Sequence, residues 1–216
     1  MKKIEIAILI ACLMAVAYQP VYALDFEFAV GQTHYKNDHN GRWYVEGYPR
    51  MEELKDTALS VGLSQKIGSL RYRLEYLNLG EARIMSNAPN DSEYGPGVTQ
   101  DSCSGCALYT ITGRGSVAGG LVSVNKDFDL FGIPFYVEAG AFAFRPKWQV
   151  AISETNTGRH LGDLSRNDQM RIGPVLGIGI RYKAVDIGIR YLNVSAGGDV
   201  PTYYTDAYTG MIRIFF

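Results

Sequence analysis

TYYTDAYTGMIRIFF, residues 202–216, alternates apolar and polar residues up to the phenylalanines Phe215 and Phe216. On an extended chain successive side chains point to opposite faces. Tyr204, Tyr208, Ile212, Ile214 and Phe216 therefore share one side, and Thr205, Thr209 and Arg213 share the other. Such a segment reads as a strand with one apolar wall. A strand like this needs partners at both edges, because unpaired backbone groups at a sheet edge invite association and are costly out of water.

The same pattern recurs upstream. Strand-like alternation marks 24–35, 57–66, 69–79, 108–124, 133–145, 170–182, 184–195 and 203–216, and no stretch of comparable length carries a helical period. In the third run Leu70, Tyr72, Leu74 and Tyr76 oppose Arg71, Arg73 and Glu75. In the sixth, Ile172, Leu176, Ile178 and Ile180 oppose Arg171, Gly177, Gly179 and Arg181. The seventh sets Ile187 and Ile189 against Asp186 and Arg190, and the first sets Phe26 and Phe28 against Asp25 and Glu27.

A soluble barrel alternates too, with its apolar side inward. Three features favour the inverse arrangement. Tyrosines (Tyr72, Tyr76, Tyr182, Tyr191, Tyr204, Tyr208) recur on the apolar side, as an interfacial girdle requires. The opposite side is rich in Gly and Ser with charges of both signs, which suits a narrow lumen. Links after runs two, four and six are short (near Ile67-Gly68, within 126–132, and Lys183-Ala184), whereas 36–55, 80–107 and 146–169 are long. The expectation is an all-β protein: an eight-stranded antiparallel up-and-down transmembrane β-barrel with short periplasmic turns and long extracellular loops. In the fifth run Phe142 and Phe144 share the parity of Glu138, which predicts a bulge near Gly140.

The beginning, MKKIEIAILIACLMAVAYQPVYA, has Lys2 and Lys3 before an apolar run and a small-x-small pattern at Val21-Tyr22-Ala23. It reads as a signal peptide over 1–23, leaving 24–216 as the barrel domain, with a lipobox at Leu9–Cys12 as the less favoured alternative. No other stretch approaches 18 apolar residues. The formal charge of −1, with 21 basic against 22 acidic residues, removes the electrostatic case for nucleic acid as a partner.

With these runs, the Gly-Ile-Arg-Tyr pieces at 179–182 and 188–191 and the aromatic Ile214-Phe215-Phe216, the chain resembles the small eight-stranded outer-membrane proteins of the OmpA/OmpX/Ail type. That resemblance implies the outer membrane of a Gram-negative bacterium, lipid or lipopolysaccharide as surroundings, and recognition of the aromatic end by the barrel-assembly machinery. It implies no particular activity; from the scaffold and its long loops alone, a monomer whose loops meet a host or envelope partner is expected.

Inside the barrel, Glu27, Arg71, Arg73, Glu75, Glu138, Arg171, Arg181, Asp186, Arg190 and Arg213 are expected to form an ion-pair plug, since buried charges need partners. An eight-stranded lumen is just wide enough for side chains, which argues against a pore. Cys103 and Cys106 read as a local disulfide in a surface loop; a redox role would want a helix N-terminus and a metal two further ligands. No cofactor and no metal are expected. His34, His39 and His160 fall in long-link territory, so a catalytic triad on the wall lacks its base. The alternative to a non-enzymatic surface protein comes from the stretch 190–201, which is similar to the lipid A 3-O-deacylases and implies Ser195 as nucleophile and Asp206 as orienting acid. Asn193 stands where those enzymes have histidine, and a neutral amide cannot take the serine proton. Trp43, Tyr44, Tyr48, Tyr94 and Trp148 are the loop aromatics expected to be available for contact.

Overall fold

The structure, a computed structural model, describes residues 24–37, 51–89, 108–154, 157–167, 169–195 and 204–216. The expected leader, the cysteine pair Cys103 and Cys106, His39, and Trp43, Tyr44, Tyr48 and Tyr94 lie outside these residues. Among the described residues ten strands form: β1 (Asp25–Asn37), β2 (Met51–Glu53), β3 (Lys55–Ile67), β4 (Leu70–Pro89), β5 (Leu108–Leu130), β6 (Ile133–Glu154), β7 (His160–Asn167), β8 (Arg171–Tyr182), β9 (Val185–Asn193) and β10 (Tyr204–Phe215). Eight of them pair antiparallel in the cyclic order β1-β3-β4-β5-β6-β8-β9-β10. The seam between β10 and β1 is tied at its end by Phe216 N–H donating to Phe26 O at 2.9 Å. The chain is thus all-β, a closed eight-stranded antiparallel up-and-down barrel. It has no free edge at the seam, as the alternating final stretch requires.

One row of paired residues sets the dimensions. It runs Gln65, Tyr72, Val124, Ala139, Leu176, Tyr191, Tyr208 and His34, and returns to β3 at Lys55. The row comes back ten residues from where it left (65 against 55). With a rise of roughly 3.3 Å per residue and a strand spacing of roughly 4.8 Å, this offset tilts the strands about 41° and gives a backbone cylinder about 16 Å across. Each residue then climbs about 2.5 Å along the axis.

Three two-residue turns close one end: Gly68-Ser69, Phe131-Gly132 and Lys183-Ala184. Phe131 and Gly132 both take positive φ (56° and 79°), which lets so short a link follow the right-handed twist of its strands. The fourth link is therefore much shorter than the span 126–132 suggests. At the other end β4, β5 and β6 run past the barrel rim, and β2 and β7 flank them, β2 on β4 and β7 on β6. These extensions occupy sequence that reads as loop.

Side chains alternate as the periodicity demands. Phe26, Phe28, Leu59, Val61, Leu74, Val122, Val137, Leu176, Ile178, Ile187, Ile189, Ile212 and Ile214 are exposed on the outer wall. Glu27, Arg73, Glu75, Glu138, Asp186, Arg190 and Arg213 are buried inside. The lumen has two storeys. Charged groups fill the turn end, while Tyr35, Leu77, Leu121, Phe142, Phe144, Val175 and Leu192 pack above them toward the loops. The register of β6 is continuous through Gly140 on both neighbours, so the expected bulge there is absent and Phe142 and Phe144 simply point inward. A bulge occurs instead on β4, between Asn78 and Glu81, where Gly80 has φ 78°. Asp56 holds it by accepting from Glu81 N–H at 2.6 Å, and Tyr35 OH donates to Gly80 O at 3.0 Å. Trp148, expected to be a surface anchor, is buried because β6 continues as a strand and turns it inward.

Candidate functional site

Strand parity delivers the interior charges. β4 contributes Arg71, Arg73 and Glu75 at alternate positions, β9 contributes Asp186 and Arg190, and β1, β6, β8 and β10 contribute Glu27, Glu138, Arg181 and Arg213. Tilt brings these to similar heights. Arg190 makes two bonds to Glu138, Nε to Oε2 at 2.8 Å and Nη2 to Oε1 at 2.7 Å, and its Nη1 lies 2.5 Å from Glu75 Oε1. Arg213 reaches Glu27 and Glu75, each at 3.2 Å. Arg73 lies 3.1 Å from Glu27 and donates to Asp186 at 2.6 Å. Arg181 grips Asp186 with Nε and Nη2 (2.7 and 2.9 Å) and Asp127 with Nη1 (2.5 Å). Arg71 bonds Asp25, and it donates to Ser64 Oγ at 2.8 Å.

Hydroxyls complete the carboxylate shells. Ser60 donates to Glu75 and Ser123 to Glu138, each at 2.5 Å. With Lys66 at 3.5 Å from Asp127, six cations face six carboxylates in this network, so it carries no net charge. Low-dielectric surroundings make such balance a condition of folding: an ion left without its partner there costs several kcal/mol.

Two aromatic rings cap the cluster from below. Phe215 points inward, and the guanidinium carbons of Arg71, Arg73 and Arg181 lie 4.8, 5.6 and 5.4 Å from its ring centre. Tyr136 lies 5.6 Å from Arg73 and 5.2 Å from Arg181. Paired Gly179 and Gly188 make room for the Tyr136 ring; a Cβ on Gly179 would sit 2.5 Å from its hydroxyl, and one on Gly188 would also collide with it. This gives the two Gly-Ile-Arg-Tyr pieces a packing reason.

Asp127, Lys66, Ser60, Ser64, Ser123, Tyr136 and Phe215 belong to the cluster but escape the sequence reading. Asp127 reads as loop until β5 is known to reach Leu130, and the serines carry no charge to mark them. Arg171 does not join: it sits at the loop end of β8, donating to Gln169 at 3.1 Å, with the apolar storey between it and the ions. Asn125 is fully buried, and neither of its amide atoms bonds another described group.

Asp206 is on the outer wall near the loop end. It accepts from Tyr191 OH at 2.6 Å, Asn193 Nδ2 at 3.3 Å and Thr205 Oγ1 at 3.1 Å. The acid thus orients an amide. Ser195 lies two residues beyond Asn193 in irregular chain, and no hydrogen bond from it to a base is seen among the described residues. His34 lies within β1, opposite Tyr208 and Lys55, and His160 begins β7, so both are on strands and not in loops. Among the described residues no cluster of His, Cys, Asp or Glu is arranged to hold a metal ion.

Chemically, the lumen arrangement lets the interior charges neutralise one another, and both they and the apolar side chains above them are buried. No known family model matches the sequence, and no curated protein matches it either. Among solved structures the chain is similar to Neisserial surface protein A, NspA, at 16% identity over 89% of this chain and 97% of that one, with a TM-score of 0.42.

Proposed function

We propose that this chain is an outer-membrane surface protein of a Gram-negative bacterium, of the OmpA/OmpX/Ail type, exported by the leader over 1–23. The observation that carries the reading is the inside-out wall. Isoleucines such as Ile178 and Ile189 are about 60% exposed (63% and 61%) while Glu138 and Arg213 are buried. The exposed apolar belt runs from Tyr182 and Phe216 up to Tyr208 and Ile172, roughly 20–25 Å at the climb given by the tilt, which matches the band that membrane barrels present to lipid. In water such a belt would be one large sticky surface.

The filled, neutral lumen supports a role as a rigid scaffold and not as a channel. On this reading the chain works without catalysis, as a monomer, and its loops, raised on the β2-β4-β5-β6-β7 extension, meet a host or envelope partner for adhesion or envelope integrity. The Asp206–Asn193 bond weighs against the hydrolase alternative, since it leaves Ser195 unactivated. Fractionation, gel migration with and without boiling, and planar-bilayer recording test the proposal together. The expected result is recovery in the outer membrane, a heat-modifiable band and no stepwise conductance. Recovery in the soluble periplasmic fraction without detergent would overturn it.

A further inference from the structure

Just above the apolar belt, the outer face of β5 and β6 carries Arg114, Arg145 and Lys147, all exposed. Arg145 follows Ala143 on that face of β6 and so stands about 5 Å higher; Lys147 is about 5 Å higher again. Arg114 is opposite Gln149 and therefore diagonal to Lys147, within reach for long side chains. On its other side Arg114 directly faces Arg83, a like-charge pairing that a sheet disfavours unless an anion offsets it. Arg83 has its own counter-charge in Glu81, to which it bonds, whereas Arg114, Arg145 and Lys147 make no ion pair among the described residues.

Beneath the three cations the wall is unusually thin. The outward positions there are Ala118, Gly120, Ala141 and Ala143, where most of the belt has Leu, Ile, Val, Phe or Tyr. A Cβ built on Gly120 meets nothing within 4 Å. The face offers a shallow trough for a hydrocarbon chain, ending upward in three cations that make no ion pair among the described residues.

We infer that Arg114, Arg145 and Lys147 dock the phosphate of an anionic lipid of the outer leaflet, with an acyl chain lying in the trough below. The inference rests on the membrane reading above and gives the surrounding lipid a defined seat. Bidentate guanidinium–phosphate bonds from Arg114 and Arg145 fix the headgroup, and Lys147 adds a point charge.

The test uses the full barrel, folded in a non-ionic detergent and titrated with lipid A as the phosphorylated probe, phosphatidylcholine as the zwitterionic one and inorganic phosphate alone, with bound copies read by native mass spectrometry. The expected result is saturable retention of lipid A that weakens with salt and falls at least tenfold in Arg114→Gln/Arg145→Gln/Lys147→Gln. A Lys36→Gln/Lys55→Gln control, at a similar height on β1 and β3, keeps it. Equal binding by the triple variant, or equal retention of phosphatidylcholine, overturns the inference, and binding of inorganic phosphate as tight as lipid A makes the site one for a free anion and overturns it as well. Heat-modifiable migration of every variant separates this failure from failure of the membrane reading, which would show as a chain that never inserts.

Discussion

Replacing Arg190 by Met is the sharpest probe of the lumen. In the folded protein this side chain makes two bonds to Glu138 and closes on Glu75 at 2.5 Å. Without it Glu138 keeps Ser123 at 2.5 Å and a distant Arg73 at 3.9 Å, and Glu75 keeps Ser60 at 2.5 Å and Arg213 at 3.2 Å. One buried negative charge then lacks its partner, and removal of one member of a buried pair costs about 3–5 kcal/mol. Adding Glu138→Gln restores the balance of charge, and because the original pair also had to shed its water, the double variant is expected to recover most of the loss. Reversible urea unfolding in lipid vesicles, followed by tyrosine and tryptophan fluorescence, measures both. A loss under about 1 kcal/mol for Arg190→Met, or no recovery in the double variant, would refute the claim that the network is dry and mutually neutralising.

On the outer wall, Ile178→Arg or Ile189→Arg places a charge near mid-belt and is expected to cost about 2–4 kcal/mol in vesicles, read from the same unfolding curves, whereas Thr57→Arg at the loop rim costs under about 1 kcal/mol. Gly188→Val forces the Tyr136 ring aside and is expected to destabilise by about 1–3 kcal/mol, and Tyr136→Ala in the same chain makes the valine far less costly, a coupling that a double-mutant cycle reads directly. Asn125→Val removes an amide whose atoms have no described partner, so stability should stay level or rise by up to about 1 kcal/mol in a thermal melt.

Much of the fold is legible because β geometry leaves so little choice. A one-residue slip of β4 would turn Arg71, Arg73 and Glu75 outward, so their spacing alone fixes which side is which. The same logic fixes β8, β9 and β10. What resists reading is what parity does not encode. Phe142 and Phe144 share the inward side with Glu138 because the lumen changes character along its height, polar below and apolar above, and a single expectation of a polar interior turns that into a bulge. The extensions of β4 to β6 are hidden because many of their residues are polar or glycine, with Ile84, Val117 and Trp148 among the inward anchors. The candidate cluster is legible in its arginines and carboxylates and illegible in its serines, its Tyr136 and its Phe215, whose roles exist only once eight strands have closed.

Phe215 and Phe216 divide their labour, the first reaching in beneath three guanidiniums and the second lying against Phe26 on the outside, with ring centres 6.4 Å apart. Two neighbours in sequence thus serve opposite surfaces, because the pleat sends successive side chains to opposite sides of the wall. Loss of the Phe215 ring would leave three guanidiniums without the aromatic face beneath them, so one side chain at the end of β10 joins the closure of the seam to the shielding of the charges it encloses.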